Sequence, residues 1–330
     1  MSIKQFPGGV ITKSPTAPTT AAAKGIWTLG QAADFVKQGI WPRSPGTPTI
    51  GTATAVTATT ATVTYTAPTD LGSGTVTFTA TSSPSGGTGS GASPITVSGL
   101  TGSTSYTFTV TAATPGGTSA ASAASNSITT PAPLAIGDAY EGGFYAGQIG
   151  VSGVATHNLV VGPVASAENS SIKWKNANTA TVGSDSDIDG PQNTADMVAD
   201  GSSTVYPAAH FCNDLVIGGY SDWYMPAKNE IEVCYYNLKP TTASNSTSSG
   251  INPNAVPARA SNYTAGTPAQ TSATDFKDTG AEDFANVQYW SSTEQATGFY
   301  AWYQTFYNGH QINTNKTSLN RVRAIRRVAV

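Results

Sequence analysis

Hydrophobic and polar residues alternate along most of the chain between residues 45 and 130. Runs such as ATVTYTA, TVTFTAT, SPITVSGL and SYTFTVTAA carry apolar side chains at every second position, and turn residues separate the runs. Alternation with a period of two is typical of half-buried strands in an antiparallel sheet. The pattern therefore predicts a β-sandwich over residues 44–131.

After residue 130 the sequence contains both strand-like and helix-like patterns of apolar residues. AIGDAYEGGFYAGQI predicts a hairpin and HNLVVGP a strand, and two helices follow, opened by Pro207 and Pro226. Cys212 and Cys234 fall on the apolar stripes of these two helices, which favours free core thiols over a disulfide framework. The predicted fold class is mostly β with some α, with an α+β domain over residues 132–330.

A long stretch rich in Ser, Thr, Asn and Pro separates the second helix from the last strands. It extends from Thr241 to Gln288. Loops of this length inside a compact domain are usually either functional or disordered, and the sequence leaves both alternatives open.

Over most of residues 1–43, apolar side chains follow neither the strand period of two nor the helical period. This predicts an extended peptide. Within GIWTLGQAADFVKQGIWP, Thr28 is placed to cap a short helix that Gly39 ends. This segment is either a docking peptide for a partner or a cap folded onto its own neighbour. The docking residues predicted under the first alternative are Trp27, Leu29, Phe35 and Trp41.

The segment from Tyr289 to Thr317, YWSSTEQATGFYAWYQTFYNGHQINTNKT, is unusually rich in Trp, Tyr and Phe. Its charged residues are Glu294 and Lys316. A core strand would favour Leu, Ile and Val, and a solvated loop would not carry Trp. Tyr and Asn together with Gly are typical of surfaces that bind a partner, and we expect this segment to present one.

Charge and composition exclude some function classes. The chain has 330 residues, of which 11% are charged, and its net charge of −3 gives no electrostatic basis for binding nucleic acid. No apolar run approaches the length of a membrane span, so we expect no membrane insertion. The first residues lack the apolar core of a secretory signal, so we expect a protein used inside a cell or released by lysis. The basic cluster RVRAIRRV predicts a solvated or salt-bridged strand face rather than an anion site.

One acidic stretch, DSDIDGPQNTAD, begins like a calcium-binding loop. The candidate ligands are Asp185, Asp187 and Asp189, but the twelfth position carries Asp196 where such loops use Glu, and no flanking helices are evident. An Asx-rich surface turn is the alternative interpretation, and we expect no metal or other cofactor.

The histidines give no catalytic constellation. His157, His210 and His310 lie near no convincing nucleophile or pair of carboxylates. Because function has to be argued from a site, we expect the protein not to be an enzyme.

The stretch ITVSGLTGSTSYTFTVTAATPGGTSAAS resembles the E–F–G region of a fibronectin type III domain. Leu100 followed by Tyr106 has the spacing of that family's tyrosine corner, in which the phenol reaches a nearby backbone group. Tyr65 stands where the family usually has a Trp. The resemblance implies a spacer or adhesive module over residues 44–131.

The stretch GGYSDWYMPAKNEIEVCYYNLKP, followed by YWSSTE, AWYQTF and VRAIRRV, resembles a C-type-lectin-fold adhesion domain of bacterial surface and phage tail proteins. This resemblance implies helices flanking a twisted sheet over residues 132–330. It also implies that pattern-matching residues such as Trp302 frame the sheet, while the residues between them bind ligand. That implied ligand-binding set is Phe299, Tyr300, Gln304, Tyr307, Asn308, His310, Gln311 and Asn313. The alternative is that these tyrosines pack on a neighbouring subunit.

The N-terminal peptide is similar to leaders on structural proteins of marine tailed phages. The resemblances together imply a virion protein on the tail or capsid exterior, a tail fibre or receptor-binding protein that contacts other virion proteins through residues 1–43. A host cell-surface protein or glycan is the implied receptor, and a homo-oligomer such as a trimer the implied assembly. The alternative is a capsid or neck decoration or fibre protein with a purely structural role.

Overall fold

The structure is a computed structural model, and the residues it describes are 17–19, 22–23, 27–38 and 41–330. The chain divides into two compact units, Met1–Pro133 and Leu134–Val330. The structure is mostly β, with a β-sandwich in the first unit and a β-rich second unit, which confirms the predicted fold class.

The first unit opens with helix α1, Leu29–Lys37. Its N-terminus forms a capping box: the Gln31 amide donates to Thr28 Oγ1 at 3.2 Å, and the Thr28 amide donates to Gln31 Oε1 at 3.0 Å. Two of the first free N–H groups are thereby satisfied, and the predicted cap is confirmed. The predicted end of the helix at Gly39 lies outside the described residues.

Eight strands follow α1. They are β1 Thr49–Ala55, β2 Thr60–Thr66, β3 Thr77–Ser83, β4 Thr88–Ser90, β5 Ile95–Ser98, β6 Ser105–Thr114, β7 Gly117–Thr118 and β8 Ile128–Thr129. They are linked in the order β1-β2-β5-β4-β3-β6-β7, and β8 also pairs with β6. Alternate residues of β6, namely Tyr106, Phe108, Val110 and Ala112, are buried, as a period of two requires.

The predicted tyrosine corner is confirmed. The Tyr106 hydroxyl accepts a hydrogen bond from the Thr101 amide at 3.0 Å, and the ring packs in the same apolar core as Leu100. Tyr106 is 4% exposed, so this bond ties the loop before β6 to the sandwich core.

Replacing Tyr106 with Phe removes the acceptor and leaves the Thr101 amide without this partner. We expect a loss of about 1 kcal/mol in the stability of the sandwich, the usual net value of such a bond. Hydrogen-exchange mass spectrometry on the full chain measures it: protection should fall in peptides from β6 and stay unchanged in the second unit. Equal protection in both variants would show that the bond contributes nothing.

The second unit contains nine strands and four helices. They are β9 Ala139–Tyr140, β10 Gly143–Val151, β11 Val154–Val161, α2 Val164–Ala167, β12 Glu168–Lys173, α3 Gly190–Asp200, α4 Pro207–Asn213, α5 Lys228–Leu238, β13 Gln288–Glu294, β14 Tyr300–Thr305, β15 Gln311–Asn315, β16 Leu319–Arg323 and β17 Ile325–Ala329. The strands form one sheet in the order β17-β11-β10-β9 and another in the order β12-β16-β13-β14-β15.

Two apolar clusters hold this unit together. One contains α5, with Tyr235 and Leu238, and reaches Tyr289 and Phe306. The other contains α4, with Cys212, and reaches Trp290. The predicted hairpin, the strand HNLVVGP and both predicted helices are present, and both cysteines are buried free thiols, as expected. Pro207 opens α4 as predicted, but α5 begins at Lys228 with Ala227 as its N-cap, so Pro226 precedes the helix and does not open it.

Helix α3 was not predicted; the sequence indicated only an acidic surface turn there. Asp189 Oδ1 accepts from the Gln192 amide at 3.3 Å and caps the helix, and a proline lies in its first turn. The inner face carries Asn193 and Thr194 as well as Met197, so no clear apolar stripe marks the helix in the sequence.

The stretch from Thr241 to Gln288 is ordered, so the disordered alternative is wrong. Asn245 accepts from the Tyr235 hydroxyl at 2.6 Å and donates to the Pro268 carbonyl at 2.9 Å. Tyr263, Phe276 and Phe284 from this stretch lie in the α5 cluster. A polar loop is thus held by aromatic residues that are widely spaced along it.

The arginines of RVRAIRRV lie in β16 and β17 and form ion pairs. Arg323 is fully buried and donates to Glu282 Oε2 at 2.7 Å, and Arg326 donates to both carboxylate oxygens of Asp222 at 2.7 and 2.9 Å. The predicted solvated or salt-bridged strand face is therefore found in its salt-bridged form. Val322 is buried next to Arg323, because both sides of the strand are covered here.

Candidate binding surface

One side of the β14–β15 hairpin is partly open to solvent. Tyr300 pairs with Asn315 and Trp302 with Asn313, and residues directly opposite in an antiparallel pair point to the same side. Tyr300 is 39% exposed, and Trp302 and Asn313 are half-buried. The opposite side of β14, with Ala301 and Tyr303, packs against the α4 cluster.

Helix α5 begins beside this surface. The Lys228 ammonium lies 4.4 Å from the centre of a Trp302 ring, and Gln311 Nε2 donates to the Lys228 carbonyl at 2.8 Å. The same ammonium forms an ion pair with Asp187 at 3.2 Å. We call this surface the amide–aromatic face; its residues are Tyr300, Trp302, Gln311, Asn313, Asn315 and Lys228.

The first turn of α5 has its backbone donors already bonded. The amide of Lys228 donates to Thr293 Oγ1 at 2.9 Å, and the amide of Asn229 donates to the Asp187 carbonyl at 2.8 Å. The Ala227 amide donates to Glu230 Oε2 at 2.7 Å. The positive end of the helix therefore offers no free N–H group of these three to an anion.

The sequence-predicted ligand set is divided by the structure. Tyr300, Gln311 and Asn313 belong to the amide–aromatic face. Gln304 lies on the same side of β14 but is completely buried toward α5, and neither of its amide atoms has a hydrogen-bond partner among the residues that the structure describes. Its prediction as a displayed contact is wrong, because α5 covers that end of the strand.

Four predicted residues lie elsewhere. Phe299 is 56% exposed and precedes β14, and Tyr307 is 52% exposed in the turn that joins β14 to β15. Asn308 and His310 are half-buried in that turn, where Asn308 Oδ1 accepts from the His310 amide at 3.1 Å. The turn is fixed to the long loop, since the Thr241 hydroxyl donates to the Tyr307 carbonyl at 3.0 Å.

Trp302 corrects a further expectation. The resemblance placed it in the buried frame of the sheet, yet its ring is partly exposed under Lys228. Alternation along the strand from Tyr300 could have predicted that Trp302 belongs to this surface, because residues two apart in a strand point to the same side. Nothing in the sequence indicated Lys228, which is distant from β14 along the chain.

The candidate calcium residues do not come together as a site. Asp189 caps α3, Asp187 pairs with Lys228, and Asp185 lines a small cleft beside Glu294. Within residues 17–19, 22–23, 27–38 and 41–330, no group of three or more His, Cys, Asp or Glu is placed to hold a metal ion. Burial raises the pKa of the Cys212 and Cys234 thiols, which disfavours the nucleophilic thiolate.

The predicted docking residues form a small aromatic cluster around α1. The Trp27 ring packs edge-on against Phe35 at 5.1 Å and against Trp41 at 6.0 Å between ring centres. Leu29 is 90% exposed, and no residue of α1 is buried. Among the residues that the structure describes, no helix is long and apolar enough to cross a membrane.

Comparison with known proteins gives matches to both units. Residues 46–128 match the model of the fibronectin type III domain, and residues 165–326 match that of the Lcl C-terminal domain. No curated protein matches the chain.

Three solved structures illustrate the similarity of the sandwich. The FN5 domain of Drosophila Lar is 22% identical, with 27% of this chain and 99% of that chain covered and a TM-score of 0.22. A domain of human fibronectin type III domain containing protein 3 is 24% identical, covering 27% and 89%, with a TM-score of 0.22. The FN1–FN3 domains of chicken CNTN1 are 19% identical, covering 36% and 41%, with a TM-score of 0.22.

The chain is therefore similar to fibronectin type III domains over residues 46–128 and to the Lcl C-terminal domain over residues 165–326, a combination that suggests an adhesion-type or surface protein.

Proposed function

We propose that this protein is a receptor-binding component of a phage virion, such as a tail fibre, that attaches the particle to a host cell surface. The observation that carries the proposal is the amide–aromatic face. Tyr and Trp provide rigid contact area at low entropic cost, and Asn and Gln add adaptable hydrogen bonds. A surface of this composition, left open beside the start of α5, is suited to binding a partner.

The rest of the chain fits the same role. The sandwich serves as a spacer, and the aromatic cluster of Trp27, Phe35 and Trp41 beside the exposed Leu29 serves as an anchor to other virion proteins. Under this proposal the protein lies on the outside of the particle and performs no chemistry. The virion location is proposed from the resemblance of residues 1–43 to the leaders of phage structural proteins.

Adsorption of the fluorescently labelled full chain to a panel of bacterial strains tests the proposal. We expect the chain to adsorb to at least one strain, and Tyr300→Ala with Trp302→Ala to reduce adsorption at least about tenfold, because aromatic anchors dominate binding energy. Tyr307→Ala is the matched control, since it removes a tyrosine that is at least as accessible, 52% against 39% exposed, at the other end of the same hairpin.

Thermal melts establish that the variants are folded. Loss of adsorption in Tyr307→Ala alone would place the receptor site at the turn instead. If both variants adsorb like the unchanged chain, or no strain binds it, the proposed receptor role fails and a purely structural role in the capsid or neck takes its place.

A further inference from the structure

We infer that residues 119–125 seal an open sheet edge of the sandwich and keep a second copy of the chain from pairing with that edge. The seal is built from a three-residue repeat in the stretch SAASAASNS, residues 119–127. Ser119, Ser122 and Ser125 recur at this spacing, and each of them contacts strand β6. We call these three residues the serine ladder.

Each serine of the ladder binds one residue of β6 through two hydrogen bonds. The pairs are Ser119 with Ala112, Ser122 with Val110 and Ser125 with Phe108. In these pairs the serine amide donates to the β6 carbonyl at 2.8, 2.9 and 2.9 Å, and the serine Oγ accepts from the β6 amide at 3.0, 2.9 and 3.0 Å. The bonded residues alternate along β6, so their backbone groups all belong to the edge that does not pair with β3.

The ladder differs from a regular strand in its period. Consecutive serines are three residues apart, while their partners on β6 are two apart, so each repeat carries one extra residue, as in a β-bulge. An added strand needs donors and acceptors at the two-residue period, which the outer side of this segment does not offer. Each serine hydroxyl also donates to the carbonyl of the residue that follows it, at 2.7–2.8 Å, so these three acceptors are already used within the segment.

The ladder continues the short strands β7 and β8, which pair with the two ends of β6. One residue beyond it, the Asn126 side chain reaches strand β1: its Nδ2 donates to the Ala53 carbonyl at 3.0 Å, and its Oδ1 accepts from the Ala53 amide at 2.8 Å. β1 and β7 are the two ends of the strand order. The segment therefore covers the gap between the ends of the sheet.

Strand β6 has an edge that would otherwise pair readily with another chain. Its ten residues, SYTFTVTAAT, contain neither a charged residue nor a proline, two of the features that usually protect an open edge. A long uncharged strand with unpaired N–H and C=O groups is a template for a second strand. A bulged cover whose acceptors are already used removes that template, so copies of the sandwich can lie side by side without forming a common sheet.

Hydrogen exchange of the full chain tests whether the ladder holds the edge. A triple variant, Ser119→Ala with Ser122→Ala and Ser125→Ala, should exchange at least about fivefold faster in peptides from β6, because each β6 amide loses its acceptor. Ser122→Ala alone should show the same change at β6 to a smaller extent, and it serves where the triple variant does not fold. The control is Ser105→Ala with Ser127→Ala, which removes an exposed hydroxyl pair at 2.8 Å beside the same strand and should leave the exchange of the ladder segment unchanged.

Sedimentation velocity at increasing concentration tests whether the ladder keeps copies apart. We expect the ladder variants to associate more than the unchanged chain and the control variant do. An excess of a synthetic peptide of residues 117–130 should reverse this association by covering the edge again, and a peptide of the same composition in scrambled order should not.

Faster exchange in β6 without added association would overturn the inference, because the ladder would then stabilise the sandwich without controlling its contacts. Association that both peptides reverse, or that neither reverses, would show that another surface is responsible and would overturn it as well. Unchanged exchange in the ladder variants would show that the serines do not hold the edge.

Discussion

Replacing Arg323 with Met should destabilise the second unit by about 3–5 kcal/mol, the usual result of removing one partner of a buried ion pair. The guanidinium is fully buried, and it donates to the Gly162 carbonyl at 2.8 Å, to the Glu282 carbonyl at 3.0 Å and to Glu282 Oε2 at 2.7 Å. It also lies 4.7 Å from the centre of the Phe284 ring. Met fills part of the volume but leaves these acceptors without their donor.

Urea denaturation followed by tryptophan fluorescence measures this effect, because Trp174, Trp223 and Trp290 are all buried in the second unit. Lys277→Met is the control: this lysine is partly exposed, and its substitution should change the free energy of unfolding by less than about 0.5 kcal/mol. A double change, Arg323→Met with Glu282→Gln, should recover part of the loss, since it also removes the unpaired carboxylate. Equal stabilities for Arg323→Met and Lys277→Met would contradict the role assigned to the buried guanidinium.

Replacing Gly309 with Ala should destabilise the second unit by about 2–5 kcal/mol, combining backbone strain of about 1–2 kcal/mol with overpacking of about 1–3 kcal/mol. Gly309 has a φ of 74°, which favours glycine, and an added Cβ would lie 2.2 Å from Cε1 of Tyr235. That ring cannot move easily, because it is fully buried and its hydroxyl is bonded to Asn245 at 2.6 Å.

Gly153→Ala separates the two contributions. Gly153 has a φ of 79°, but an added Cβ would meet nothing within 4 Å. It should therefore show only the backbone strain, about 1–2 kcal/mol. The same urea titration compares the two variants. If they are equally destabilised, the contact between the hairpin turn and Tyr235 does not constrain Gly309.

The local elements were largely predictable from the sequence. The alternation of apolar residues with a period of two predicted the sandwich. The spacing of Leu100 and Tyr106 predicted the tyrosine corner, and Thr28 predicted the helix cap. Each of these features depends on residues that are close together in the sequence. The geometry of a strand or a helix fixes how such residues are placed relative to one another. The burial of Cys212 and Cys234 followed from helical periodicity in the same way.

The binding surface was predictable only in part. Alternation along β14 places Tyr300, Trp302 and Gln304 on one side, but it does not say where that side is covered. Helix α5 begins at Lys228, so Gln304 lies beneath the helix and is buried, while Tyr300 lies beyond its start and is exposed.

Long-range contacts decided the remaining features. Lys228 reaches Trp302, Arg323 reaches Glu282, and the loop after Thr241 is held by Tyr235. The sequence by itself determined which residues alternate, cap and turn, because those properties are local. Only the tertiary structure decided which of them are covered and which charges are paired, because burial and ion pairing depend on elements that are distant in the chain and meet only in the folded protein.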